Sequence, residues 1–533
     1  MNKNIFKLSM LAAVVGVLAS CEIHFGPNDS ANSNSNNYNI SRNSVSKLEG
    51  EGFEVVNPKY TMRQNSENQG WNTLNSTGTQ KMLIVPVHLS GESETWTNKK
   101  LSDIEKAFFG KASETSWHSV SSYFDESSYG NLHLIGEVAP VFESSYSESD
   151  LLSYASKTKN PPCSDFIASE YSTSTSLSNE KRKEYDQDGD GYIDATIFIY
   201  LPKPINSPTN SNTDAFWAWC YANTNNLAST SKPVVNNYMW ASYEFINDSY
   251  VKTELFETLP SGIEAHTYIH ETGHLLGLDD YYCYDEYKIW NCAGDRDMQA
   301  FNIGDHNIYS KMALGWVSPY YVTGDCEIKL HSSSLYGEAI VIRDEWNKTI
   351  FDEYLIIEYY TPEGLNYQDS KHSYDYRNKM YQGSGLRIYH VDARLIDFSK
   401  RTYDGGYSYS SESKYTSNTI IGASNSIVHS NLTTKQSKNN KIRYLHLLDS
   451  GKRNTISHGI NGTGDYDTSS NSGNEGVKID PNKTLWTKGQ VFTADSDFFV
   501  NGTKFNNGYS VNYSITVGDT DGDTITVKIS KTN

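Results

Sequence analysis

The 533-residue chain reads as an α+β protein, a mixed helix-and-strand region followed by a β-sandwich-like C-terminal domain. Three observations carry that expectation. Strand-like and helix-like apolar periods are mixed from Met82 onward, short alternating strands between Asn, Gly and Ser loops take over beyond Trp316, and the length exceeds what one hydrophobic core serves. Low hydrophobicity with 39 Tyr and many Ser, Asn and Gly agrees, being a composition of exported β-rich proteins.

The first element is an address. Lys3 and Lys7 form a basic start, and the apolar run from Leu8 to Leu18 is too short to span a bilayer but suits a signal peptide. It ends in Leu18-Ala19-Ser20-Cys21, which resembles the lipobox of bacterial lipoproteins, so residues 1–20 are expected to be removed and Cys21 acylated. The lipid would anchor the protein in the membrane at the extracellular face of the cell envelope. Residues 21–78 follow as a tether and N-terminal segment, rich in Ser and Asn and without apolar periodicity up to about Glu51.

Residues 79–322 are expected to form one compact region. Met82 to Val87, Asn131 to Glu137 and Ala195 to Tyr200 read as strands, and Leu101 to Phe109 and Trp117 to Phe124 as helices. Met239-Trp-Ala-Ser-Tyr-Glu-Phe reads as an edge strand able to pair with an extended peptide. Residues 323–533 read as β, with strands at Glu353 to Tyr360, Gly385 to Val391, Tyr509 to Val517 and Thr524 to Ile529. Asp519, Asp521 and Asp523 mark a hairpin turn, while His390 and Asp392 read as hydrogen-bonded structural residues.

Charge and cysteine content exclude some functions. With 64 acidic against 45 basic side chains the net charge is −19, the wrong sign for binding nucleic acid. Cys163, Cys220, Cys283, Cys292 and Cys326 show no close CxxC spacing, which argues against a zinc ribbon. An oxidising exterior permits a disulfide, with Cys283 and Cys292 the expected pair, and the odd count leaves one cysteine over.

The informative segment runs Ser261-Gly-Ile-Glu-Ala-His-Thr-Tyr-Ile-His270-Glu-Thr-Gly-His274-Leu-Leu-Gly277-Leu-Asp-Asp280. Ser261 and Glu264 match a capping box, which predicts a helix starting there, and Gly277 sits where a helix can stop in the left-handed conformation. His270 and His274 lie one turn apart on one face and can grip one tetrahedral ion. Glu271 stands beside them as the general base for an attacking water. Past the Gly277 turn a carboxylate returns to the ion: Asp280, with Asp279 as its rival. His266 shares the face, but three side chains at this spacing span about 12 Å of helix, too far for one ion, so His266 is read as a supporting or packing residue.

The extended pattern H-E-x-x-H-x-x-G-x-x-D resembles that of the immune inhibitor A family of secreted metallopeptidases, which are metzincin-like. Ser119 to Glu137, Ser310-Lys-Met-Ala-Leu-Gly-Trp316 and Gly383 to Asp392 carry the likeness beyond the helix. The resemblance implies a metzincin-like zinc peptidase domain over residues 79–322, zinc on His270, His274 and Asp280 (the third-ligand position of the metzincin spacing), and Met298 in the methionine turn beneath the metal. The tyrosine that some metzincins carry two residues after that methionine is Ala300 here.

A second ion site is expected at Asp186-Gln-Asp188-Gly-Asp190-Gly-Tyr-Ile-Asp194, whose alternating carboxylates and turn glycine resemble a calcium loop. Position twelve is Ile197 rather than Glu, so the alternatives are a calcium staple on a surface loop and an acidic turn without an ion. Together these readings predict a zinc-dependent endopeptidase acting on protein or peptide. The alternative is a non-catalytic surface adhesin or mucin-binding lipoprotein on the same fold.

Overall fold

The computed structural model describes residues 48–532 apart from 68–69, 158–161, 205–212, 248–261, 283–291, 373–378, 398–401, 404–406, 409–424, 428–430, 432–441, 453–454 and 456–480. Cys21, Ser261 and Cys283, and with them the signal peptide, the capping box and the expected disulfide, lie outside the described residues.

The architecture is α+β. Gly78–His88 is an almost continuous apolar strand because both its faces are buried: Leu83, Val85 and Val87 enter one core, Met82 and Ile84 another. It lies in a sheet ordered Leu132–Val138, Gly78–His88, Thr196–Tyr200, Asn237–Ser242 and Trp219–Ala222, in which the first four strands run parallel and the last antiparallel. The strand expected at the edge, Asn237–Ser242, is therefore internal, and among the described strands Trp219–Ala222 takes the edge. The physical reason is burial: every residue of Asn237–Ser242 is inside, with Trp240 fully covered, as befits a central strand.

Helices Asn98–Phe109, Val120–Ser127 and His266–Leu275 pack on one face of this sheet. Thr97 and Ser119 cap the first two by accepting from Lys100 N and Ser122 N.

A second sheet is ordered Phe53–Val55, Tyr320–Val322, Ile340–Ile342, Glu353–Tyr360, Gly385–Asp392 and Leu445–Leu447. Alternation along its strands divides it between two cores. Val341, Ile356, Tyr389 and Val391 join the helices, while Ile340, Ile342, Leu355, Ile357 and Ile388 meet a third sheet made of Cys326–His331, Thr524–Lys531, Tyr513–Asp521 and Val491–Phe492. Asp521 and Thr524 flank the turn of the C-terminal hairpin, with Gly522 at φ +61°.

His390 and Asp392 serve this second sheet. His390 Nε2 lies 2.9 Å from Glu353 Oε1 on the neighbouring strand, and Arg394 grips Asp392 at 2.7 and 2.8 Å. The N-terminal segment is docked as well: Phe53–Val55 pairs with Tyr320–Val322, and helix Met62–Glu67 packs at the end of His266–Leu275, where Leu74 N donates to Leu275 O. Among the described residues no helix is long and apolar enough to cross a membrane.

Candidate metal centre

The helix carrying the histidines begins at His266, not near Ser261. Residues 263 and 264 are held in extended backbone bonds instead, with Ser116 N donating to Ile263 O and Glu264 N to Ile246 O. Ala265 offers no capping side chain, so Glu264 Oε1 accepts the His266 amide at 2.7 Å.

At the other end Gly277 adopts φ +96°, with its amide bonded to His274 O and that of Leu278 to Gly273 O. This pair of bonds is a Schellman turn, and it reverses the chain so that Asp280 comes back over the helix. One atom each from His270, His274 and Asp280 then lies within 4.8 Å of the other two, and Asp279 is not part of that group.

The donor atoms are close. His270 Nε2 is 2.9 Å from Asp280 Oδ1, His274 Nε2 is 3.2 Å from the same oxygen, and the two Nε2 atoms are 3.1 Å apart. Each ring turns its Nδ1 to a backbone carbonyl, His270 to Met298 O at 2.8 Å and His274 to Leu278 O at 2.7 Å. In the tautomer that donates from Nδ1, both Nε2 atoms present lone pairs to the carboxylate oxygen.

Three acceptors so placed need a shared cation. A tetrahedral zinc with bonds of about 2.0–2.1 Å would space its ligands about 3.3 Å apart, so the donor set and its size fit that ion. A proton can also fill the role. Burial pushes His274 down, but the Asp280 carboxylate overrides it and lifts the group to about 10. Burial would likewise raise Asp280, yet the His274 charge and hydrogen bonds from both imidazoles hold it well below the usual carboxylate range.

Glu271 is 6% exposed, and its Oε2 has no hydrogen-bond partner among the described residues. Burial holds its carboxyl above the ordinary range, against the pull of the two imidazoles. A buried carboxylate oxygen without a donor is costly in a merely structural residue and useful in a proton acceptor.

Met298 opens the short helix Met298–Phe301, and its carbonyl supports His270. Asp297 places it: Oδ1 accepts from Gln299 N at 2.9 Å, and Oδ2 from Asn307 N at 2.6 Å. The second sheet reaches the same segment through Arg387, whose Nη1 donates to Arg296 O at 3.1 Å. Two other supports escaped the sequence reading. Asp297 directly before the helix carries an N-cap signal that could have revealed it. Cys220, whose Sγ lies 3.1 Å from the Glu271 carbonyl, carries none, because only the sheet brings it there.

In the acidic loop Asp186, Asp188 and Asp194 converge within 4.8 Å, whereas Asp190 accepts the Tyr192 amide at 2.8 Å and stands outside that group. Arg63, from the N-terminal helix, meets Asp188 Oδ2 at 2.6 Å. Burial and the neighbouring carboxylates push Asp190 and Asp194 up to about 7. No protein-family model matches the chain, and no curated protein matches it.

Proposed function

We propose that the protein is a zinc-dependent endopeptidase of the metzincin-like, immune inhibitor A type, held by a lipid on Cys21 at the extracellular face of the cell envelope. The observation that carries the reading is the convergence of His270, His274 and Asp280 beside a buried Glu271 oxygen that has no partner among the described residues. Zinc held there would polarise a scissile carbonyl and acidify a bound water. Glu271 takes the proton of the attacking water and returns it to the leaving amine. Met298 O and Leu278 O keep the two imidazoles aimed, so little reorganisation is needed when substrate arrives.

An extended peptide would find a pairing edge at Trp219–Ala222, the strand whose Cys220 touches the ligand helix. A surface adhesin on the same fold would have no use for the Glu271 carboxylate at this position. Calcium in the Asp186, Asp188 and Asp194 group is part of the proposal as a stabilising ion, since three carboxylates converge there and Arg63 is the basic side chain paired with them among the described residues.

The deciding experiment compares two variants for peptide hydrolysis and bound zinc. Glu271→Ala should lose turnover by about a hundredfold to ten-thousandfold while keeping zinc, because it removes the base and spares the ligands. His270→Ala should lose metal and activity together. Wild-type turnover in Glu271→Ala would end the proposed mechanism. A zinc-loaded wild type that cleaves nothing across a broad peptide library would favour the adhesin.

A further inference from the structure

A buried cluster of charge lies at the opposite end of the same helix from the metal group. Glu264, His266 and Asp369 are each at most 2% exposed. His266 Nδ1 meets Glu264, its Nε2 lies 3.2 Å from Asp369 Oδ2, and its ring stacks on Trp117 with centroids 4.0 Å apart. Ionisable groups removed from water in this way persist only when each is paired, and taking away one partner strands the others.

Asp369 reaches the cluster from helix Asn366–Lys371, which follows the second-sheet strand Glu353–Tyr360. Asn366 and Asp369 are three residues apart and so share a helix face. Each takes one of two consecutive backbone amides: Asp369 Oδ2 accepts from Gly304 at 2.7 Å, and Asn366 Oδ1 from Asp305 at 3.0 Å. Gly304 has φ +64°, and a Cβ there would strike Met380 and Asn366, so the approach is tight.

These amides lie in the segment from Met298 to His306, which begins with the carbonyl that orients His270. Within that segment His306 Nε2 lies 3.3 Å from Gln299 Oε1, and the Gln299 side chain packs directly on Gly273 of the ligand helix. A single carboxylate, Asp369, therefore grips both pieces on which His270 depends: the start of its own helix and the segment that supplies its carbonyl.

We propose that Asp369 and His266 form a positioning pair through which the helix Asn366–Lys371 sets the Met298 carbonyl against His270, and thereby sets the metal affinity of the His270, His274 and Asp280 group. The inference rests on the zinc reading above. Both are positioning residues, acting on the metal group through the backbone they hold.

The test measures zinc dissociation by competition with a chromogenic chelator in the full mature chain, together with kcat, KM, thermal midpoint and the absorption bands of the cobalt-substituted protein. The variants are Asp369→Asn, Asp369→Ala and His266→Gln, with His390→Gln as comparator, since His390 makes an equally buried carboxylate pair with Glu353 in the second sheet. Asp369→Asn and His266→Gln should weaken zinc by about tenfold to a hundredfold, the range for disturbing an outer partner of a metal ligand, because they displace the Met298 carbonyl that is that partner. They should also shift the cobalt bands and lower kcat more than they raise KM. His390→Gln should lower the midpoint and leave zinc affinity alone. Where Asp369→Ala does not fold, Asp369→Asn, which keeps an acceptor for the Gly304 amide, carries the test. If the position 266 and 369 variants lower only the midpoint, with zinc affinity and cobalt bands unchanged, the pair is structural and the proposal fails by itself. A wild type that binds no zinc removes the metallopeptidase reading and the positioning proposal together.

Discussion

His266 sits between Glu264 and Asp369 with no exposed surface, and its charge links the stability of the fold to pH. Burial pushes the imidazolium down, but the two carboxylates outweigh it and raise the group to about 9. His118, the other histidine facing this cluster, is pushed by burial down to about 4 and stays neutral above that. An unfolded histidine titrates near 6.5, so the folded state holds this proton more tightly. The stabilisation is therefore fully present below pH ~6.5 and is lost as pH rises through about 9, a change on the order of 3 kcal/mol. With zinc saturating, so that the ligand imidazoles do not titrate, the thermal midpoint should fall across that window in wild type, and His266→Gln should lack the slope. A flat wild-type profile between those limits would show that His266 is not charged in the fold. The sequence marked His266 as a supporting or packing residue from helix geometry, but its partner Asp369 lies 103 positions away and carries no local signal.

Two elements hold the candidate sites, and each makes its own prediction. The ligand helix ends because Gly277 can take a left-handed conformation, and a Cβ there would also press on Ser66 Oγ and Met62 of the N-terminal helix. Gly277→Ala should cost about 1–2 kcal/mol from backbone strain, with a further loss from the Ser66 contact. Because that turn delivers Asp280, zinc affinity should fall too, and chemical denaturation alongside zinc titration would register both. Unchanged zinc affinity in a destabilised variant would mean that the turn does not set the carboxylate. The acidic loop should raise the thermal midpoint when calcium is added at fixed zinc, since an ion that binds only the native state stabilises it by mass action. Asp188→Ala with Asp194→Ala should remove the rise, and a wild type without any shift would return the loop to an acidic turn. The loop's calcium-like spacing was legible in the sequence. That Asp190 is occupied by the Tyr192 amide and Asp188 by Arg63 was not, since backbone turns and a distant helix decide it.

For the molecule as a whole, the expected boundary between residues 322 and 323 runs through a shared core. Tyr320–Val322 pairs in parallel with Ile340–Ile342, and Tyr354, Ile356, Val391, Leu445 and Leu447 lie in one cluster with Ile269, Leu275 and Met298. Burial of that apolar face is the main term favouring the folded state, and it cannot be made by either half alone. A fragment ending at Val322 should therefore fail to give a cooperative thermal transition or to bind zinc, while the mature chain should unfold zinc-loaded in one transition by calorimetry. A folded, zinc-binding fragment would show that the second sheet is dispensable.

Local features could be read from residue order: strands and helices whose apolar period is set by their own residues, and a His-Glu-His face with a glycine stop that needs only the geometry of one helix. Gly78–His88, Asn98–Phe109, Glu353–Tyr360 and the C-terminal hairpin were readable for that reason. Packing of the layers sets which strand lies at the sheet edge, which backbone carbonyls aim the imidazoles, and which remote side chains reach the helix of His270 and His274. Strand order and the meetings of Cys220 with Glu271, Arg387 with Arg296 and Asp369 with His266 depend on how whole layers pack. Such contacts between residues far apart in the chain leave no periodicity or spacing to read.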